Sequence, residues 1–240
     1  MNAALLEVNG LSKRFGGFVA LDGIDLAVQA GERLGLIGPN GSGKTTLVNC
    51  VGGTLRHDAG RVRLDGHVLD GLPAHRRVRL GLARTFQLPR SFPSLTVREN
   101  VRIPVEYASP QSARTDIAAQ CDALLGMVGL RERGQVRPGD LTQVEMRKLE
   151  LARAMAAQPR LLVADEVMAG LSHGEIDELL ALLLRLNDEG VTIIMIEHIM
   201  RAVMQFSRRL VVLVAGRKVA DGDPSDVVRD PEVERAYLGE

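Results

Sequence analysis

Hydrophobic and polar positions divide the chain into two kinds of strand with a helical stretch between them. Near the N-terminus the apolar runs are short or alternating. Residues 5–8, 23–28 and 33–37, separated by Gly and Asp turns, predict strands, and 61–64 followed by Asp65-Gly66 predicts a further strand and hairpin. A helix is expected over 45–52, directly after the Gly-rich stretch 38–43. From Thr96 to Leu130 the character is helical. Thr96-Val97-Arg98-Glu99 reads as a capping box, and 116–128 carries an apolar face. A further helix over 146–157 ends before Pro159. Beyond it, 161–164, 191–196 and 210–214 are near-continuous apolar runs, the pattern of parallel strands buried on both faces. Ile176, Leu179, Leu180 and Leu183 fall at helical spacing within 175–188, and Ser172-His173-Gly174-Glu175 would cap that helix. Strand–helix–strand alternation of this kind implies right-handed crossovers in a parallel sheet. The expected class is α/β: a mixed β core with a helical insertion over 88–158.

Composition narrows the function more than the fold. A chain of 240 residues holds one α/β domain with a modest inserted subdomain. Thirty Lys+Arg balance 30 Asp+Glu, which argues against a general nucleic-acid binder. The absence of Trp and the 3% aromatic content argue against stacking bases on many rings. Cys50 and Cys121 cannot build a disulfide framework, so a reducing compartment is expected. The longest apolar run, 179–184, is far too short to cross a bilayer, and residues 1–10 show no secretory signal. A soluble cytoplasmic protein is therefore the expectation.

The strongest chemical signal is Gly38-Pro39-Asn40-Gly41-Ser42-Gly43-Lys44-Thr45, which fits the phosphate-loop pattern G-x-x-x-x-G-K-[ST]. Glycines let backbone N–H groups turn inward and approach phosphate oxygens. The helix that follows points its positive end at the same anion. Lys44 would bridge the β- and γ-phosphates and the Thr45 hydroxyl would bind Mg²⁺; the nucleotide-binding set extends to Thr46. A Gly-rich turn beside a surface lysine is the bland alternative. The apolar strand before the loop and the helical run after it supply the setting a phosphate loop requires.

A second acidic site belongs with such a loop. The run Leu161-Leu162-Val163-Ala164 ends in Asp165-Glu166. Asp165 is placed to hold Mg²⁺ through water, and Glu166 to orient and deprotonate the attacking water, a role that supplies about 10²–10⁴-fold in rate. His198 ends the next apolar run. A strand parallel to the first would bring it to the same carboxyl-end crevice, within reach of the γ-phosphate or the water. His57, His67, His75 and His173 are read as structural or exposed.

On these motifs the sequence resembles the nucleotide-binding subunits of ATP-binding-cassette (ABC) transporters over nearly its whole length. Gln87, in Arg84-Thr85-Phe86-Gln87, looks like the family's glutamine loop, which reaches Mg²⁺ and the water and senses the membrane partner. Phe15, in Lys13-Arg14-Phe15-Gly16-Gly17, looks like the aromatic that stacks on adenine, and His198 matches the switch histidine. Residues 13–49, 84–101 and 234–239 look closest to the ATPases of branched-chain amino-acid importers. The resemblance implies a P-loop NTPase of ABC type with a mixed β core, a helical subdomain and an antiparallel β subdomain. It implies one cassette over 1–240, with a nucleotide-binding core at 1–87 and 159–240 and the signature-bearing helical subdomain at 88–158. ATP and Mg²⁺ would be the ligands. A second ATPase subunit would complete two sandwiched nucleotide sites, two transmembrane permease subunits would be driven, and a solute-binding protein would join through the complex. Nucleic acid is not expected. The location implied is peripheral, on the cytoplasmic face of the cell membrane. Leu88, Phe92 and Leu95 are candidate contacts for a short permease helix.

The chain departs from the family pattern in three places. Leu141-Thr142-Gln143-Val144-Glu145 stands where the family has Leu-Ser-Gly-Gly-Gln. The hydroxyl survives in Thr142, both glycines become larger, and Thr142 with Glu145 reads as a capping box that occupies backbone donors and adds negative charge near a phosphate. Val167 replaces the proline usual after the acidic pair, and Ala169-Gly170-Leu171-Ser172 occupies the dimer-loop position. A complete acidic and His set beside a degraded signature suggests one half of an asymmetric heterodimer. A lipid- or lipopolysaccharide-export ATPase and a soluble ABC ATPase of DNA repair or translation are the alternatives. The long coiled-coil insertion or tandem cassettes common in the latter are missing.

Overall fold

The computed structural model describes residues 4–86, 90–108 and 116–238. Ten strands are described: β1 (Leu6–Phe15), β2 (Phe18–Val28), β3 (Arg33–Ile37), β4 (Ala59–Leu64), β5 (His67–Val68), β6 (Leu82–Arg84), β7 (Leu161–Asp165), β8 (Thr192–Ile196), β9 (Arg209–Val214) and β10 (Arg217–Gly222). One sheet is antiparallel, in the order β2-β1-β4-β5. The other runs β10-β9-β3-β8-β7-β6 and is parallel from β9 to β6, with β10 added antiparallel at one edge.

The helices are α1 (Lys44–Gly52), α2 (Ala74–Arg79), α3 (Val97–Ala108), α4 (Ile117–Met127), α5 (Gln143–Met155), α6 (His173–Asp188), α7 (Met200–Phe206), α8 (Pro224–Val227) and α9 (Pro231–Leu238). None is long and apolar enough to cross a membrane among the described residues.

The six-stranded sheet is covered on both faces, as its continuous apolar strands require. Side chains alternate along a strand. Leu162 and Ala164 of β7, with Ile193 and Met195 of β8, pack into one core with α3, α4, α5 and α6. Leu161 and Val163, with Ile194 and Ile196, pack into another with α1 and the antiparallel sheet. A third, smaller core lies under α7, α8 and α9 against β9.

Two N-terminal strands are longer than the hydrophobic pattern suggests. β1 and β2 form one hairpin closed at Gly16-Gly17, with Phe15 paired to Phe18, and the pairing slips register between Val8 and Leu11 and twice more before Arg14. These bulges break the alternation that would have marked continuous strands. At the slip Gly10 takes φ +57° and its N–H donates to Asp25 Oδ1 at 2.7 Å. The helix expected from 146 starts at Gln143, because the signature segment itself forms its first turn.

Capping boxes are present at Thr142/Glu145 and Ser172/Glu175. Thr96 and Glu99 exchange the same pair of bonds, at 2.7 and 3.2 Å. The far end of α1 is closed by Arg77, a buried guanidinium that donates to the Cys50 and Val51 carbonyls at 2.7 Å each and to Leu72 at 2.9 Å. Those carbonyls carry the negative end of the helix dipole, which a cation satisfies.

Candidate active site

The phosphate-loop residues join the end of β3 to the start of α1. Gly38, Gly41 and Gly43 take φ +152°, +77° and +106°, values that side-chain-bearing residues rarely adopt. At Gly43 there is also no room, since a Cβ would lie 2.7 Å from the Ala20 carbonyl of β2. The loop is stitched to the β9–β10 turn: Gly216 N–H donates to Ser42 O at 3.0 Å, and Gly216 O accepts from Asp22 N–H at 2.9 Å. Lys44 Nζ donates to Gly38 O at 2.7 Å and Pro39 O at 3.0 Å, so the ammonium lies across its own loop. Burial lowers the Lys44 pKa, and the carboxylates of Glu166 and Asp165 pull it back. Pro39, Asn40, Thr45 and Thr46 complete the segment.

The acidic pair and the histidine meet where β7 and β8 end side by side, with Asp165 in register with Ile196. Glu166 N–H donates to Ile196 O at 2.9 Å, and His198 Nε2 lies 3.0 Å from Glu166 Oε1. Asp165 is buried at 6% exposure, while the His198 side chain is 43% exposed at the crevice mouth.

Two residues that contact Asp165, namely Arg84 and Thr85, stand out in the sequence only as the flank of Gln87. Arg84 Nη2 donates to Asp165 Oδ2 at 2.7 Å and its Nη1 to Asn49 Oδ1 of α1 at 2.6 Å. The Asp165 N–H donates to Thr85 Oγ1 at 3.1 Å. A guanidinium fork thus ties the strand-end acid to the helix that follows the phosphate loop. Its sequence signal was its place three residues before Gln87 in the glutamine-loop motif. Gln87 and Leu88 lie outside the described residues.

Phe15 sits at the tip of the β1–β2 hairpin at 49% exposure, with Lys13 Nζ 5.5 Å from its ring centroid and paired to Asp58 at 2.8 Å. The exposed ring face is available for stacking. In the segment 141–145, Thr142 is the N-cap of α5. Its N–H donates to Glu145 Oε2 at 2.9 Å and its Oγ1 accepts from Glu145 N–H at 3.3 Å. The added negative charge is partnered, since Arg133 Nε stands 3.2 Å from Glu145 Oε1. Leu141 packs on the helical core. Among the described residues no hydrogen bond joins 141–145 to the phosphate loop of the same chain.

A phosphate loop entering α1, an acidic strand end near it and a histidine just past the end of the adjacent parallel strand define a nucleotide-hydrolysing site. The family model described as ABC transporter matches residues 21–169, and one described as branched-chain amino acid ATP-binding cassette transporter matches 217–240. A relative in Pseudomonas aeruginosa, the high-affinity branched-chain amino acid transport ATP-binding protein BraF, is 39% identical, with all of both chains covered. A solved nucleotide-free ATP-binding cassette from an ABC transporter superposes with TM-score 0.90 at 30% identity, over 99% of this chain and 100% of that one. The ADP conformation of an ATP-binding cassette of an ABC transporter matches at TM-score 0.89 and 31% identity, with both chains fully covered. The chain belongs to the ABC transporter family, as one of its ATP-hydrolysing, ATP-binding subunits.

Proposed function

We propose that this subunit energises uptake of branched-chain amino acids, or closely related small solutes, from the cytoplasmic face of the cell membrane. The observation that carries the reading is the full-length likeness to BraF together with the branched-chain model over 217–240. Solute choice rests with other subunits, so this chain contributes the ATP cycle. Its partners are two permease subunits, a solute-binding protein reached through the complex, and a second cassette.

The site residues take these roles. Phe15 stacks on the adenine. Backbone N–H groups of 38–46 and the Lys44 ammonium hold the polyphosphate. Glu166 accepts a proton from the attacking water, and His198, 3.0 Å from it, fixes the direction of that carboxylate and of the γ-phosphate. Gln87 carries the site's state to the 88–158 segment, which acts as the helical subdomain facing the permeases.

The residues present suit Mg²⁺. The Thr45 hydroxyl and the Asp165 carboxylate are hard oxygen donors, and Asp165 has its Oδ1 outside the Arg84 pair. Gln87 is the third candidate. When bound, the ion neutralises phosphate charge.

The two sites of the assembled pair are unequal in this reading. This chain's phosphate loop, completed by a partner's intact signature, hydrolyses fast. The reciprocal site, completed by 141–145, turns over slowly, because Glu145 already occupies the Thr142 amide and Gln143 and Val144 hold the backbone off the phosphate. Glu166→Gln in the reconstituted transporter is expected to keep ATP binding and lose about 10²–10⁴-fold in turnover and leucine uptake. Undiminished uptake would overturn the coupling role, and equal losses from the equivalent change in the partner cassette would overturn the asymmetry.

A further inference from the structure

Glu197, between the end of β8 and His198, is 2% exposed, less than any other acid among the described residues. Its Oε1 accepts the Met168 N–H at 2.8 Å. Burial pushes its carboxyl up to about 7, against the N–H groups of Met168 and His198 that favour the charged form, with the nearby charge of Glu166 adding to the rise and Arg147 opposing it. An apolar side chain of the same size would fill this space at lower cost. The acid is therefore not explained by packing.

What it holds is the turn that starts at the catalytic carboxylate. Glu166 has φ +48°, the left-handed region, which costs a non-glycine residue about 1–3 kcal/mol and persists only where surroundings enforce it. Two bonds tie this turn to the end of β8: Glu166 N–H to Ile196 O, and Met168 N–H to the Glu197 side chain. On its other side Arg147 of α5 donates to Ala169 O at 3.3 Å. Val167, between the two tied amides, brings no ring to fix its own φ.

We propose that Glu197 is a positioning residue: its Oε1 anchors the Met168 amide, holds Glu166 in its left-handed turn and so aims the Glu166 carboxylate at the attacking water beside His198. The inference rests on the reading of Glu166 as the base. It predicts that the acceptor oxygen matters and the charge does not.

The test compares Glu197→Gln, which keeps an acceptor of the same reach, with Glu197→Met, which keeps the volume and removes it. Both are measured in the reconstituted transporter for kcat, KM and Mg·ATP affinity, and by hydrogen exchange at the Met168 amide. Gln is expected to stay within a few-fold of wild type and keep the amide protected. Met is expected to lose about 10²-fold in kcat with nucleotide affinity unchanged, the scale of an approximately 1 Å misplacement, and to exchange fast at Met168. Should the Met variant fail to fold, Glu197→Asn, whose oxygen is drawn back by one carbon, gives the same contrast. Wild-type kcat in the Met or Asn variant, an equal loss in the Gln variant, or a parallel loss of nucleotide affinity would each overturn the proposal. Failure of the base assignment is read separately, as retained turnover in Glu166→Gln.

Discussion

Arg84 donates to Asp165 at 2.7 Å across the edge of the sheet, so the strand-end acid is already partnered by a cation before any metal arrives. Both side chains are almost wholly buried, at 12% and 8% exposure. Removing one partner of such a pair leaves the other charged and dry, at a cost of about 3–5 kcal/mol. Arg84→Met is therefore expected to destabilise the metal-free protein by that order, and Mg·ADP to recover more stability in the variant than in wild type, because the ion supplies the lost countercharge. Chemical unfolding with ADP alone and with Mg·ADP measures both. An equal Mg²⁺ increment in the two proteins would contradict the metal role given to Asp165.

Arg77 closes α1 at the end opposite the phosphate loop, and its bonds to the Cys50 and Val51 carbonyls are buried. Arg77→Met is expected to lower stability by about 2–4 kcal/mol through unsatisfied acceptors and a lost cation at a helix C-terminus. Nucleotide affinity should fall with it, because α1 carries Lys44 and Thr45. Denaturant midpoints and nucleotide titrations check the two effects together.

The raised pKa of Glu197 gives a pH dependence of stability with a definite sign. Between pH 4.5 and about 7 the folded protein holds a proton that the unfolded chain has released. Stability from this group is thus full below 4.5 and is lost as pH rises toward 7, by up to about 3 kcal/mol. Glu197→Gln removes the titration. The stability of wild type relative to the Gln variant is expected to fall across that window, and unfolding curves at pH 5, 6, 7 and 8 would reveal a flat difference if burial did not act this way.

The signature segment offers a gain-of-function experiment. Gln143→Gly with Val144→Gly reopens the backbone approach at the start of α5, at a cost of about 2–3 kcal/mol in helix propensity and Val144 packing. Placed in a Glu166→Gln background, which silences the first site, the double change is expected to raise the residual ATPase of the assembled pair. Unchanged residual turnover would show that the larger side chains are not what slows the reciprocal site.

Short-range chemistry was readable in the chain; pairing across long separations was not. The Thr96, Thr142 and Ser172 caps each span four residues, and each forms as its spacing implied. His198 could be placed because an apolar run ends just before it, and β7 and β8 prove parallel. Arg84 meets Asp165 across 81 positions, and Arg133 reaches Glu145 through a turn no periodicity marks. β6 has three residues and α2 six, too few for either period to register. Glu197 was passed over because an acid after a strand usually faces water. Its clue was its position between four buried apolar residues, 193–196, and the histidine.

Gly216 wedges between Ser42 and Asp22 by two backbone bonds, and Gly43 abuts Ala20 with no side chain between them. The strand that leads away from the Phe15 hairpin tip is thereby seated on the loop that follows β3, with the ion pair between Arg217 and Asp22 clasping the same seam. A change that shifts β2 at residues 20–22 is therefore expected to shift the phosphate loop with it.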